Sequence, residues 1–269
     1  MNILDKIIAD KRLEVERDKA QIPPDEMKER AAGLAKCRNF FKAVTKANPR
    51  GLNVIAEIKK ASPSAGLIRE NFDPAEIARI YETCGADAIS VLTDEKYFQG
   101  KLEYIAQVKE AVGLPILRKD FIIDEYQVYQ ARAAGADAIL LIAEALKPAM
   151  LMDLLILAST LTLTTLIEVH GADTLLAVRS MRGFPLEGYS VLGINNRDLT
   201  AMTVDINTTG RLAEFVDEKN QLVAESGIKT RADVEKLISI GVGAVLIGQT
   251  LCESENIEAK FEELFGAKS

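Results

Sequence analysis

The sequence predicts an α/β protein, a single (β/α)8 barrel behind a helical N-terminal extension. Three observations point there. Eight short apolar runs follow one another from residue 53, and the 22 to 33 residues from each to the next hold one helix and two loops. A pentapeptide, Gly85-Ala86-Asp87-Ala88-Ile89, recurs unchanged at Gly135-Ala136-Asp137-Ala138-Ile139 and in degenerate form at Gly241-Val242-Gly243-Ala244-Val245. A chain of 269 residues, 48 % apolar and without Trp, must fill its core with Ala, Leu and Ile, which suits parallel strands and helices better than a β-sandwich. Such barrels run to about 250 residues as one domain. Residues 1–50 are read as the extension and 51–269 as the barrel, together a single domain over 1–269.

In chain order, residues 1–21 read as a charged helix with Ile3, Leu4, Ile7, Ile8, Leu13 and Val15 along an approximate stripe. Pro23-Pro24 ends it. A second helix is expected over Asp25–Lys36 and a short third over Asn39–Val44. The apolar runs open near Val54, Asp87, Pro115, Asp137, Thr162, Ser190, Gln221 and Ala244. In each copy of the repeat, Gly can close the preceding helix in the left-handed conformation before a buried strand begins. An open doubly wound sheet would instead place a Gly-rich fingerprint after the first strand, and Lys59-Lys60-Ala61-Ser62-Pro63 is not one.

Composition removes several function classes. No stretch approaches the roughly 20 apolar residues of a membrane span. The start, Met1-Asn2-Ile3-Leu4-Asp5-Lys6, lacks a secretory pattern. A net charge of −7 disfavours nucleic-acid binding. Cys37, Cys84 and Cys252 are odd in number and widely separated, which argues against disulfides and zinc and for a reducing cytoplasm. The only histidine, His170, nearly excludes a histidine-based triad or metal site, and no cofactor is indicated.

Active sites of such barrels lie at the C-terminal ends of the strands. The runs end in Glu57 and Lys59, in Lys119-Asp120, in Glu168, in Asn195-Asn196-Arg197-Asp198, in Glu225-Ser226-Gly227 and in Gly248. Alternation sends Ala56 and Ile58 to the helix layer and Glu57 and Lys59 to the barrel mouth. Lys, Glu, Lys, Glu and Asn converging on one rim exceed what ordinary ion pairing explains. Asp120, Asp198 and Glu225 are read as caps or partners of neighbouring cations, and His170 as a solvated loop residue. Asp87 and Asp137 begin strands at the opposite end, where a stabilising role is expected. Loops seven (Ser226-Gly227) and eight (Gly248-Gln249) stand where these barrels hold phosphate. Ser62-Pro63-Ser64-Ala65-Gly66 reads as a lid with hydroxyls for the same group. The residues alone thus describe an acidic barrel enzyme for a small phosphorylated substrate.

Five segments, in order, resemble indole-3-glycerol phosphate synthase: Glu57–Ser64, Val91–Gly100, Arg118–Ile122, Gly193–Leu199 and Ala224–Ile228. The resemblance covers nearly the whole chain and implies a TIM-type barrel lyase of tryptophan biosynthesis. It implies ring closure, decarboxylation and dehydration of 1-(2-carboxyphenylamino)-1-deoxyribulose 5-phosphate, without metal or cofactor. By the same resemblance Lys119 is the general acid of ring closure, and Lys59, Glu57 and Glu168 serve dehydration and charge stabilisation as a set. Asn195 and Arg197 hold the substrate, with Ser226 near it. Ser62, Gly227, Gly248 and Gln249 form the phosphate cradle, and Phe98, Phe121 and Leu141 the apolar walls. Gln249 departs from the usual Ser or Glu, and Arg182–Tyr189 lengthens the connection before strand six, away from the site. No tail matches a fused isomerase, so one activity is expected. Phosphoribosylanthranilate isomerase, the competing reading, needs a Cys on strand one that this chain lacks.

Overall fold

The computed structural model describes residues 3–181, 184–198 and 203–267, which leaves Arg182 and Gly183 of the lengthened connection and Leu199 of the fourth motif outside the described residues. The eight runs form eight strands: β1 (Asn53–Ile58), β2 (Ala88–Leu92), β3 (Ile116–Lys119), β4 (Ala138–Ile142), β5 (Thr164–Val169), β6 (Ser190–Asn195), β7 (Leu222–Glu225) and β8 (Ala244–Ile247). All pair in parallel, and β8 pairs with β1 to close the barrel. The N-terminal helices are α1 (Ile3–Gln21), α2 (Pro24–Ala31) and α3 (Phe40–Thr45). Around the barrel follow α4 (Pro74–Cys84), α5 (Glu95–Phe98), α6 (Glu103–Ala111), α7 (Glu125–Ala133), α8 (Pro148–Thr160) and α9 (Ala172–Arg179). The ring ends with α10 (Asn207–Ala213), α11 (Arg231–Ile240), α12 (Gln249–Cys252) and α13 (Ile257–Phe265).

Strand alternation divides the core in two. Val54, Ala56 and Ile58 of β1 join the layer between sheet and helices, whereas Ile55 points into the barrel with Leu117, Leu140, Leu166 and Leu246. Phe40 and Val44 of α3 complete the inner cluster and plug the bottom. The Asn53 amide holds that plug by donating to the Val44 and Lys46 carbonyls.

The repeat has a structural reason. Gly85, Gly135 and Gly241 adopt φ of 90°, 95° and 90°, and Gly188, ahead of β6, adopts 77°. Each turns the chain into the start of a strand. The Asp two residues on then serves the neighbouring strand: Asp87 accepts from the Val54 amide at 3.0 Å and Asp137 from the Ile116 amide at 2.9 Å. In the third copy this position is Gly243, where a Cβ would stand 1.8 Å from the Asn220 carbonyl oxygen. The degenerate residue is therefore a steric requirement.

The extension differs from expectation in two ways. Helix α2 stops at Ala31, because Ala32 turns extended (φ −79°, ψ 154°) and Gly33 takes a left-handed φ of 66°; beyond that turn the Leu34 and Ala35 carbonyls accept from the Arg132 guanidinium. In α1 the buried stripe is Leu4, Ile7, Ile8, Lys11 and Val15, while Leu13 is 72 % exposed. Lys11 fits the helical spacing of Leu4, Ile8 and Val15, so a lysine occupies an apolar stripe.

That lysine anchors the extension. Its Nζ lies 2.9 Å from each of Glu14, Asp94 and Asp120, with both aspartates fully buried. Asp120 also meets Arg118 at 3.0 Å and the Thr93 hydroxyl at 2.6 Å. Burial opposes the charge on Lys11, but the three carboxylates outweigh it and raise its pKa. Burial likewise opposes the charge on Asp120, and Lys11 and Arg118 overcome it to hold the carboxyl low. Lys11→Ala leaves two buried carboxylates short of a cation, a change that costs about 3–5 kcal/mol. Urea denaturation monitored by circular dichroism is expected to show a loss of that size; an unchanged midpoint would remove Lys11 as the anchor.

Candidate active site

The ends of the eight strands and α1 enclose one cavity at the mouth. Its floor is charged. Glu57 and Lys59, two residues apart on β1 and its extension, meet at 2.7 Å. Lys119, at the end of β3, reaches Glu168 of β5 at 3.1 Å and Glu225 of β7 at 3.4 Å. Asn195, ending β6, donates its amide to Glu168 at 3.0 Å and accepts from the Arg197 backbone at 3.0 Å, which fixes its rotamer.

Burial and partners then separate the carboxylates. Glu168 and Glu225 are 2 % and 1 % exposed, so desolvation pushes both towards the neutral form. Lys119, His170 and Asn195 reverse that for Glu168 and hold its pKa well below the usual range. Glu225 has only the more distant Lys119 and faces the Glu168 charge, so its pKa is raised well above the usual range. The pair thus holds one anion and one neutral acid. Lys119 loses stabilisation by burial but gains more from Glu168, Glu225 and Glu57, so its pKa is raised and it stays cationic.

Two glycines make room for these groups. A Cβ on Gly193 would lie 2.3 Å from Glu225 Oε1, and one on Gly248 would lie 2.4 Å from Glu57 Oε1. Above the floor, Ser226 and Gly227 take consecutive left-handed φ values of 65° and 83°. The Asn196 amide fixes this turn by donating to the Ser226 carbonyl at 3.0 Å, and the Thr250 hydroxyl donates to Ile228 at 2.6 Å. Ser62 lies in a small antiparallel hairpin (Ala61–Ser62 with Gly66–Leu67) and accepts from the Ala65 amide at 3.2 Å. The expected lid therefore has its own short ladder. Phe98 and Phe121 face each other with ring centroids 6.1 Å apart.

This charged floor, glycine-lined rim and aromatic wall accompany a full-length family match. The indole-3-glycerol phosphate synthase family model covers residues 4–264. The chain belongs to the indole-3-glycerol phosphate synthase family. The synthase of Rhodopirellula baltica is 47 % identical over 257 residues, covering 96 % of each chain. That of Neisseria meningitidis is 48 % identical over 265 residues, covering 98 % of this chain and 99 % of its own. That of Geobacillus thermodenitrificans is 46 % identical, covering 98 % and 97 %. Among solved structures, thiamine phosphate pyrophosphorylase of Pyrococcus furiosus superposes with a TM-score of 0.56 at 17 % identity, over 81 % of this chain and 96 % of that one. A chain of the tryptophan synthase α2β2 complex from the same organism gives 0.54 at 15 %, over 80 % and 98 %. These two share the barrel fold.

Of the residues that likeness to indole-3-glycerol phosphate synthase singles out, thirteen of fourteen line the cavity. They are Glu57, Lys59, Ser62, Phe98, Lys119, Phe121, Glu168, Asn195, Arg197, Ser226, Gly227, Gly248 and Gln249. Leu141 does not. The inward parity of β4 is Ala138, Leu140 and Ile142, so Leu140 and Ile142 form that wall and Leu141 packs under the helices. His170 is a second correction: it is no solvated loop residue, but lies against Glu144 and Glu168 with its side chain 12 % exposed. The cavity also includes Ile3, Leu4 and Ile7 of α1, which sequence reasoning gave no site role. Among the described residues no group of three or more His, Cys, Asp or Glu is arranged to hold a metal, and no helix is long and apolar enough to cross a membrane.

Glu225, raised above its unfolded pKa of about 4.3, contributes stability that is full below that value and is lost as pH rises through the folded value. Glu225→Gln keeps the shape and removes the titration. The stability of the variant relative to the parent is expected to grow from pH 5 to pH 8 in parallel denaturation series. A constant difference would show that Glu225 is ionised in the fold.

Proposed function

We propose that this chain converts 1-(2-carboxyphenylamino)-1-deoxyribulose 5-phosphate to indole-3-glycerol phosphate, CO2 and water, and that the cavity at the mouth is where it does so. The observation carrying this reading is Lys119, a cation held within 3.4 Å of two carboxylates at the floor of a cavity whose rim includes Ser62, Gly227, Gly248 and Gln249. Family membership supports it independently.

The amides of Gly227, Gly248 and Gln249 and the Ser62 hydroxyl would take the phosphate, since glycine lets backbone N–H groups approach an anion closely. Phe98 and Phe121, with Leu140 and Ile142 across from them, would flank the anthranilate ring. Arg197 and Asn195 would hold the sugar hydroxyls. In ring closure Lys119 protonates the keto oxygen as the ring carbon bearing the carboxylate attacks the keto carbon. One C–C bond forms, the former carbonyl becomes a hydroxyl, and the ring passes through an iminium-type cation. Loss of CO2 from the same ring carbon returns the bonding pair and restores aromaticity. The new hydroxyl then leaves as water with a proton from a lysine, while a carboxylate removes the proton from the neighbouring carbon.

The ion pairs suit these demands. Anionic Glu168 lies where it stabilises a cation that develops in the ring. Lys59, paired with Glu57, stands across the floor from Lys119 and can give or hold the second proton. The two lysines with Glu57 and Glu168 act as a set.

Purified chain mixed with the carboxyphenylamino deoxyribulose phosphate is expected to yield indole fluorescence; none at micromolar enzyme would sink the assignment. Lys119→Ala is expected to lower kcat by about 10²-fold or more, the scale of general acid catalysis. Turnover near the parent's would remove Lys119 from the chemistry.

A further inference from the structure

One polar contact outside the cavity bears directly on its floor. His170 follows β5, and its Nε2 stands 3.2 Å from Glu168 Oε1. Its other nitrogen, Nδ1, is 3.0 Å from Glu144 Oε2, and its backbone amide donates to Glu144 Oε1 at 2.8 Å. Glu144 sits in the single turn Ala143–Ala145 that ends β4. The contacts form a line, Glu144 to His170 to Glu168 to Lys119, running from the surface to the cavity floor. His170 does not line the cavity.

We propose that His170, clamped by Glu144, is a positioning residue that decides which of the two buried carboxylates, Glu168 or Glu225, carries the charge. The two acids are otherwise near equivalents. Each is buried, each lies in the last two residues of a strand, and each is within 3.4 Å of Lys119. Two like carboxylates at such range do not both ionise, and the one with the better partners keeps the charge. Asn195 gives Glu168 a neutral donor, and His170 gives it a second cation. Among the described residues Lys119 is the only cation paired with Glu225. The inference deepens the proposed reaction and rests on it in one respect, that anionic Glu168 is what the reaction needs.

The groups facing His170 are Glu144 from the β4 turn and Glu168 from its own strand. Burial disfavours the imidazolium, but these two carboxylates prevail and raise its pKa to about 10. The imidazolium is thus fully present below the ordinary value of about 6.5, persists through neutral pH, and is lost as pH rises through about 10.

His170 is the only histidine in the chain, so a ring nitrogen spectrum of 15N-histidine-labelled protein reads it without assignment. Both ring nitrogens are expected to stay protonated at pH 8. In Glu144→Gln, and separately in Glu168→Gln, the titration is expected to move down towards about 6.5. In the assay, His170→Gln is expected to lower kcat about 10- to 100-fold with KM little changed, the scale seen when a group orienting a ligand or base is removed. The acid limb of its kcat–pH profile is expected to move upward, because Glu168 then takes a proton more readily. A purely structural histidine would leave that limb in place. Titration near 6.5 in the parent overturns the proposal, as does an unmoved acid limb in both His170→Gln and the more exposed, fold-sparing Glu144→Gln. Absence of any indole product from the parent would fail the proposed reaction instead, and the nitrogen spectrum would still decide whether the carboxylates hold the imidazolium.

Discussion

Lys119 shared between Glu168 and Glu225 is the contact on which the mouth depends. A lone ammonium at this depth would be expelled or neutralised. Held by two carboxylates it stays charged, and it forces those carboxylates to differ from each other. Everything around it serves that arrangement. Asn195 and His170 settle Glu168; Gly193 leaves space for Glu225; Gly248 leaves space for Glu57, which faces the same cluster. Buried charge is costly to assemble, so its exact partners matter more here than area buried elsewhere.

A second ion cluster, around Lys11, ties the extension to the strand ends at the mouth. Asp120 is the neighbour of Lys119, so the residue that receives α1 is covalently next to the proposed acid. Helix α1 in turn lends Ile3, Leu4 and Ile7 to the cavity. The extension is a wall of the site as well as a cover for the barrel. A wall of this kind narrows the access of water to the floor and so strengthens the ion pairs there.

The fold was legible in the sequence because a closed parallel barrel makes each strand an uninterrupted apolar run, and because the Gly-x-Asp turn repeats. The strand-end charges were legible too, since Glu57, Lys59, Lys119, Glu168 and Asn195 interrupt those runs abruptly. Three features were not. Leu141 was placed on the wrong face because in an all-apolar strand nothing in the pattern marks inward parity. Lys11 was hidden by its own chemistry, a charged residue occupying the buried stripe of α1, although its spacing from Leu4, Ile8 and Val15 carried the signal. His170 and Glu144 lie 26 residues apart, just beyond the ends of different strands. Only the closed sheet brings them together.

Left-handed backbone precedes six of the eight strands, at Gly51, Gly85, Gly135, Thr162, Gly188 and Gly241, all at the bottom of the barrel. Taken two strands at a time from β1, the ring divides into four modules. Set against that division, the site has an unexpected property. Lys119 belongs to the second module, Glu168 and His170 to the third, Glu225 to the fourth, and Glu57 with Lys59 to the first. No module contains the central cation together with a carboxylate that holds it. The charge pattern of the mouth exists only when the barrel is closed, so closure of the barrel and the ionisation states of its floor are one event.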